Sequence, residues 1–238
     1  MNDFSYIERN LAEVRADIAR IAAACGREIP TLVCVTKSGS DEELLALVRA
    51  GATDVGENRP QELTRRGALL GDCGLHPTLH EIGNLQRNKV KYIIEKASLI
   101  HSLDSLPLAE EIERQAAMRD MKARVLIEVN SGGEDAKGGV MPEAVEEFYL
   151  ALESFPHIEV CGLMTMGPVC ESEEEIRPYF ALTKKIFDDI KARHGFVGDG
   201  ILSMGMSDSY RVAIEEGSTL VRIGRRLFTK EQGDTKNV

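Results

Sequence analysis

No apolar run in this chain approaches the ~20 residues needed to span a bilayer, which argues against a membrane role. The opening residues, Met1-Asn-Asp-Phe-Ser-Tyr-Ile-Glu-Arg9, carry neither a basic n-region nor an apolar h-region. Secretion is therefore not expected, and the cytoplasm is the expected compartment. Cationic charge is scarce: 29 Lys and Arg stand against 39 Asp and Glu, a formal net charge of -10. Such a surface repels phosphate backbones, so nucleic acid is not an expected partner. The cysteines, Cys25, Cys34, Cys73, Cys161 and Cys170, form no Cys-x-x-Cys pair and are expected to be reduced packing residues. His76-Pro-Thr-Leu-His80 has the spacing of a metal pair, but Pro77 and the strand-like context keep the rings off one helical face, so no metal is expected.

What the chain does have is eight short β-like runs, Thr31 to Lys37, Thr53 to Asn58, Thr78 to Gly83, Leu99 to Asp104, Val125 to Asn130, Glu159 to Met166, Ile201 to Met206 and Thr219 to Gly224. Helix-like stretches lie between them, and strand-helix alternation from end to end is the signature of a parallel sheet. Eight units in 238 residues fit a single (β/α)8 TIM barrel, a fold of roughly 250 residues. Phe4, Ile7, Leu11, Val14, Ile18 and Ile21 recur every three or four residues, adding an N-terminal helix outside the barrel, ended by Gly26. Ser40-Asp-Glu-Glu43 is a capping box opening a helix that runs to about Ala50. Further helices are expected over 59–70, 86–97, 107–121, 142–154, 172–194 and 208–216. One domain, residues 1–230, then leaves a polar tail, 231–238, expected to be disordered.

Barrel active sites gather where the carboxyl ends of the strands meet their following loops. Lys37 closes the first run and alternates with Val33 and Val35, so an inward face would wrap its stem in apolar groups. Desolvation would lower its pKa, and a neutral amine can attack an aldehyde to form an imine. A salt-bridged lysine at the barrel mouth fits the position equally well.

The loops after strands seven and eight are where barrels often bind phosphate. Ser203-Met-Gly-Met-Ser207-Asp208 and Arg222-Ile-Gly224 fall there. Ser207 offers a hydroxyl, Gly224 allows close backbone approach, and both also fit a helix cap and a turn. A phosphate cradle facing an imine-forming lysine suits pyridoxal 5'-phosphate (PLP), and Arg222, on the strand face of Gly224, could meet the ring nitrogen. A permanent guanidinium there keeps that nitrogen unprotonated and weakens the ring as an electron sink.

These motifs, with Val33-Cys-Val-Thr-Lys37, Gly56-Glu-Asn58, Gln61-Glu62, His80-Glu-Ile-Gly83-Asn-Leu-Gln86-Arg-Asn88-Lys89, Gly162-Leu-Met-Thr-Met166 and Gly217-Ser-Thr-Leu-Val-Arg222, resemble those of the pyridoxal phosphate homeostasis protein family. That family is related to the N-terminal barrel of alanine racemase, a fold-type III PLP-binding domain. The resemblance implies a Schiff base between PLP and Lys37. It further implies Ser207, Gly224 and the amide of Arg225 on the phosphate, Arg222 at the pyridine nitrogen, and Asn58, His80 and Met206 as lesser contacts. Two departures stand out: Ser38-Gly39-Ser40 replaces a more common Thr-x-Pro, and Arg225 replaces a small or hydroxyl residue.

The resemblance also implies a role in vitamin B6 and amino-acid homeostasis without strong catalysis, with PLP-dependent apoenzymes as possible recipients. An acidic surface discourages nonspecific self-association, and a barrel without its usual partner domain is expected to be a monomer. The alternative is a single-domain PLP-dependent amino-acid racemase. Racemisation needs acid/base groups on both faces of the imine, and alanine racemase draws its opposing tyrosine from an extra C-terminal domain, whereas this chain ends soon after strand eight. Of its tyrosines only Tyr210 is expected near the cofactor end. A cofactor-free Schiff-base aldolase would leave the phosphate motifs unexplained. Lys89 and Lys137, expected beside the loops after strands three and five, can attract an anionic cofactor or serve as solvated surface lysines. Glu57 and Glu81 lack a partner spacing that selects either as an acid or base.

Overall fold

The computed structural model describes residues 3–134 and 138–230. The strands are β1 (Thr31–Val35), β2 (Asp54–Glu57), β3 (Thr78–Glu81), β4 (Leu99–Leu103), β5 (Ala123–Glu128), β6 (Ile158–Met164), β7 (Ile201–Ser203) and β8 (Leu220–Ile223). Each pairs in parallel with the next, and β8 returns to β1 with Thr31 opposite Leu220 and Cys34 opposite Ile223, closing the barrel. The connecting helices are α2 (Asp41–Arg49), α3 (Pro60–Asp72), α4 (Val90–Ile93), α5 (Leu106–Ala117), α6 (Val145–Leu152), α7 (Arg177–Arg193) and α8 (Tyr210–Glu215). No described helix is long and apolar enough to cross a membrane.

Two cores follow from strand alternation. Val33, Leu99, Leu126, Cys161, Met164 and Leu220 come from strands only and pack together, filling the barrel interior. The intervening residues face the helices: Cys34, Val221 and Ile223 pack against Ile7, Leu11 and Ile18 of α1 (Ser5–Ala24). Burial of each such side chain contributes about 1.5–3 kcal/mol. The C-terminus of α1 closes as its glycine requires: Gly26 takes φ 63°. Gly26 N–H donates to Ala23 O and Arg27 N–H to Ala22 O, the paired bonds of a Schellman motif. The capping box of α2 forms with Glu43 N–H on Ser40 Oγ at 3.2 Å and Ser40 N–H on Glu43 Oε2 at 2.6 Å. Glu43 also accepts from Tyr6 Oη, tying the cap to α1.

Several boundaries differ from the sequence expectation. The strands stop short of their runs, so Lys37 lies two residues beyond β1, in the turn leading to α2. The helix expected over 86–97 is a 3-10 turn (Arg87–Lys89) followed by the single turn of α4, because Ser98 N–H donates to Leu79 O and draws the chain into β4. The stretches 142–154 and 172–194 likewise open as 3-10 turns before α6 and α7. α5 ends at Ala117, ahead of the expected 121, where Asp120 adopts φ 50° and does the work usually given to glycine. A short helix, α9 (Arg225–Phe228), was not expected at all. At Gly162 of β6 the neighbouring backbone leaves no room for a side chain: a Cβ there would lie 1.9 Å from Ile201 O. The tail, 231–238, and Lys137 lie outside the described residues.

Candidate cofactor site

At the carboxyl end of the barrel opens a cavity of about 530 Å³. Of the residues singled out in the sequence, Lys37, Asn58, Met206, Ser207, Arg222, Gly224 and Arg225 line it, and His80 does not. Lys37 is exposed, contrary to the expected desolvation: the apolar sleeve reaches only its base, where Val35 is buried. Its amine makes no hydrogen bond or ion pair with a described residue, so the salt-bridged alternative lacks its partner.

The loop bearing Lys37 is nonetheless rigidly braced. Arg66, on α3 and 7% exposed, places Nη1 2.7 Å from Thr36 O and Nη2 2.6 Å from Gly39 O, gripping the chain on either side of the lysine. Nη1 also pairs with buried Glu57 at 2.6 Å, and Thr36 Oγ1 donates to the same carboxylate oxygen.

The residues expected at a phosphate, Ser207, Gly224 and Arg225, meet as the barrel closes. Gly224 N–H approaches Ser207 Oγ at 3.4 Å, and Gly224 leads directly into α9, presenting the amides of Gly224 and Arg225 at the helix start. A Cβ on Gly224 would sit 2.9 Å from Val35 O, so the close approach here is between β8 and β1. The Arg225 guanidinium is taken by Asp208, which leaves its backbone as the part available to an anion.

At the cavity base, Arg222 is buried, and burial lowers its pKa to about 10, with Glu128 acting in the opposite sense. It remains charged at neutral pH. Its Nη1 donates to Ser203 O at 3.0 Å and Ser203 Oγ at 2.6 Å, and Nη2 to Thr165 O at 3.1 Å. From Ser203 a polar chain crosses the barrel interior: Oγ to His101 Nδ1 at 3.1 Å, His101 Nε2 to His80 Nδ1 at 3.0 Å, and His80 Nε2 to Asp54 Oδ1 at 3.1 Å. Burial first, with Arg222 and the neighbouring His80 acting in the same direction, pushes the His101 pKa well below its ordinary 6.5, so that ring is neutral. One assignment of protons satisfies every link, with Ser203 donating to His101, His101 to His80 and His80 to the Asp54 carboxylate. His80 is thus a core residue beneath the cavity, orienting Arg222 through two intermediaries.

Sequence reasoning missed His101, Ser203, Asp54, Arg66 and Glu128. The first two share the inner face with His80 and Arg222, and period-2 alternation applied to polar residues would have found them. Tyr210 is buried toward α1, where its hydroxyl contacts Asp17 and Arg226, so the expectation that it nears the cofactor end is corrected. Lys89 lies by Tyr92, its Nζ 5.9 Å from the ring, and is not part of the cavity lining. Among the described residues no group of three or more His, Cys, Asp or Glu could hold a metal.

Glu57 and Glu81 face α3 rather than the cavity. Glu81 is fully buried, its Oε1 accepts from Gly83 N–H at 3.2 Å, and Oε2 has no partner. Burial, with Glu57 adding to it, raises its pKa from 4.5 to about 8. The folded chain therefore keeps a proton that the unfolded chain releases, and stability falls as pH rises from 4.5 to about 8. Glu81→Gln keeps the acceptor for Gly83 and removes the titration. It is expected to stabilise the protein at pH 8 by on the order of 3 kcal/mol while changing little at pH 4.5. Urea unfolding at both pH values checks this, and an equal effect at both would contradict it.

The closed parallel barrel with its candidate site residues at the mouths of β1, β7 and β8 defines a class of protein, and a family model described as alanine racemase, N-terminal domain, matches residues 9–231. Within that class the chain belongs to the pyridoxal phosphate homeostasis protein family. It is 42% identical over 216 residues to the pyridoxal phosphate homeostasis protein of Aquifex aeolicus, covering 89% of this chain and 93% of that one. PipY of Synechococcus elongatus, solved with PLP bound, superposes with a TM-score of 0.81 at 27% identity, covering 94% of this chain and all (100%) of PipY. Alanine racemase of Corynebacterium glutamicum shares the fold, with a TM-score of 0.73 at 18% identity, covering 96% of this chain but 61% of the racemase.

Proposed function

We propose that residues 1–230 form a single PLP-binding domain that holds the cofactor as a Schiff base on Lys37 and serves PLP and amino-acid homeostasis in the cytoplasm, as a monomer, without strong catalysis. One observation carries this reading: an unpartnered lysine amine shares a cavity with a serine hydroxyl, two helix-start amides and a buried guanidinium. That donor set matches an aldehyde, a phosphate and a pyridine nitrogen. PipY with PLP bound supports the same assignment. When bound, PLP supplies a reactive aldehyde and an electron-withdrawing ring.

The residues of this chain favour retention over turnover. Ser207 and the amides of Gly224 and Arg225 anchor the phosphate, and Asn58 and Met206 flank the group. Arg222, held by Ser203 and Thr165, donates to the ring nitrogen, keeps it unprotonated and so limits the ring as an electron sink. No tyrosine or histidine is among the described lining residues, so the racemase alternative lacks its customary second base. Release to PLP-dependent apoenzymes completes the proposed role. The test is exchange of the α-hydrogen of L-alanine in deuterated water, followed by proton NMR. Loaded protein is expected to exchange no faster than free PLP, and catalytic exchange above that level would establish the racemase instead.

A further inference from the structure

Glu128 is the last residue of β5 and points inward, on the face of Leu126, to line the cavity with Lys37 and Arg222. It is 7% exposed, and its carboxyl makes no hydrogen bond or ion pair with a described residue. The carboxyl opens onto the cavity, where a ligand can supply the partner that the protein does not. Asp104 after β4 and Arg222 on β8 act on it directly, and Lys37, Glu134, Asp208 and Arg225 are the other charged residues of the cavity lining. Burial, then Asp104, raise the Glu128 pKa to about 7 against the pull of Arg222, so above neutrality this wall is anionic.

We propose that Glu128 sets the ligand specificity of the cavity, admitting ammonium-bearing amines that lack a carboxylate to the Lys37-bound aldehyde and turning away α-amino acids. The inference rests on the PLP reading above. An α-amino acid brings its carboxylate within two bonds of the nitrogen that must reach the aldehyde, so it cannot park that charge away from the wall. Binding sites that accept such carboxylates supply a free guanidinium fork. Here Arg225 already pairs with Asp208 through Nη2, and Arg222 is committed to Ser203, Thr165 and the ring nitrogen. Lys37 is exposed, and solvent screens its charge. A simple amine meets none of these obstacles, and its ammonium is the partner Glu128 lacks. Exchange breaks the C=N bond to Lys37, forms one to the incoming nitrogen and moves two protons from that nitrogen to the lysine nitrogen, which departs as an ammonium, with no redox change. The consequence is a carrier that keeps its cargo amid free amino acids.

The experiment loads wild type and Glu128→Gln with PLP and quantifies the loaded fraction by borohydride reduction. Each is then exposed at pH 8 to ethylamine or to alanine, which differ by the carboxylate. The readout is the rate at which PLP, carried by the amine, passes an ultrafilter. The ratio of ethylamine to alanine rates is referenced to that of PLP bound to N-acetyl-lysine in solution. Wild type is expected to exceed the reference ratio by about tenfold or more, as like charges a few ångströms apart at a partly buried site require. Glu128→Gln is expected to fall to the reference. A wild-type ratio equal to the reference, or an unchanged ratio in the variant, overturns the proposal. Failure of wild type to load at all overturns the PLP reading itself, and this inference with it.

Discussion

Lys37→Ala is expected to abolish covalent capture of PLP while leaving the barrel folded. The lysine is exposed and makes no hydrogen bond or ion pair with a described residue, so truncation removes no buried contact and its stability cost should stay within about 0.5 kcal/mol. The chemistry, by contrast, depends on a single amine, because imine formation needs a nucleophilic nitrogen inside the cavity. Lys37→Arg is the sharper control, since it keeps the charge but not the nucleophile. Absorbance titration with PLP should show no Schiff-base band in either variant. Noncovalent retention through the phosphate cradle should survive, weakened. A Schiff-base band in Lys37→Ala matching wild type would move the site to another lysine.

Arg66→Ala is expected to have the largest effect on stability. Its guanidinium bonds the Glu57 carboxylate at 2.6 Å and the carbonyls of Thr36 and Gly39, all in buried surroundings. Removing it strands Glu57, which is 2% exposed, close enough to Glu81 to raise that group's pKa. Breaking one side of a buried pair costs roughly 3–5 kcal/mol, because the remaining charge loses both partner and solvent. Arg66→Lys should recover only part of this, since an ammonium cannot grip two carbonyls and a carboxylate in one plane. Denaturant unfolding reads the loss, and PLP uptake should slow in step as the Lys37 loop slackens. A loss under about 1 kcal/mol would mean that the brace is incidental.

The same pair of sites shows what was legible in the sequence. All eight strands and their order could be read from short apolar runs with helical stretches between them, because local alternation records which face is buried. Lys37, Ser207, Arg222 and Gly224 could be placed at the mouth because a barrel orders its strand ends in sequence. The exposure of Lys37 could not be read, since the ladder stops at Val35 and the inward alternation lapses in the turn beyond it. The end of α5 was missed because Asp120 stands where a glycine would have signalled the stop.

The interior polar chain was hidden for a different reason. His80 and His101 lie on neighbouring strands, but Ser203 and Arg222 reach them only when the barrel closes, and no local pattern encodes that approach. Arg66 reads as an ordinary helix arginine until Glu57 and two loop carbonyls converge on it. Glu128 ends a strand whose three preceding residues, Val125, Leu126 and Ile127, are apolar, and its inward direction becomes meaningful only with Lys37 and Arg222 across the cavity.

The central claim, that PLP is held on Lys37, is tested most directly by incubating the purified protein with PLP, reducing it with borohydride and mapping the pyridoxyl adduct by peptide mass spectrometry. One stoichiometric adduct is expected, on the peptide containing Lys37. An adduct chiefly on another lysine, or none with excess PLP, would contradict it.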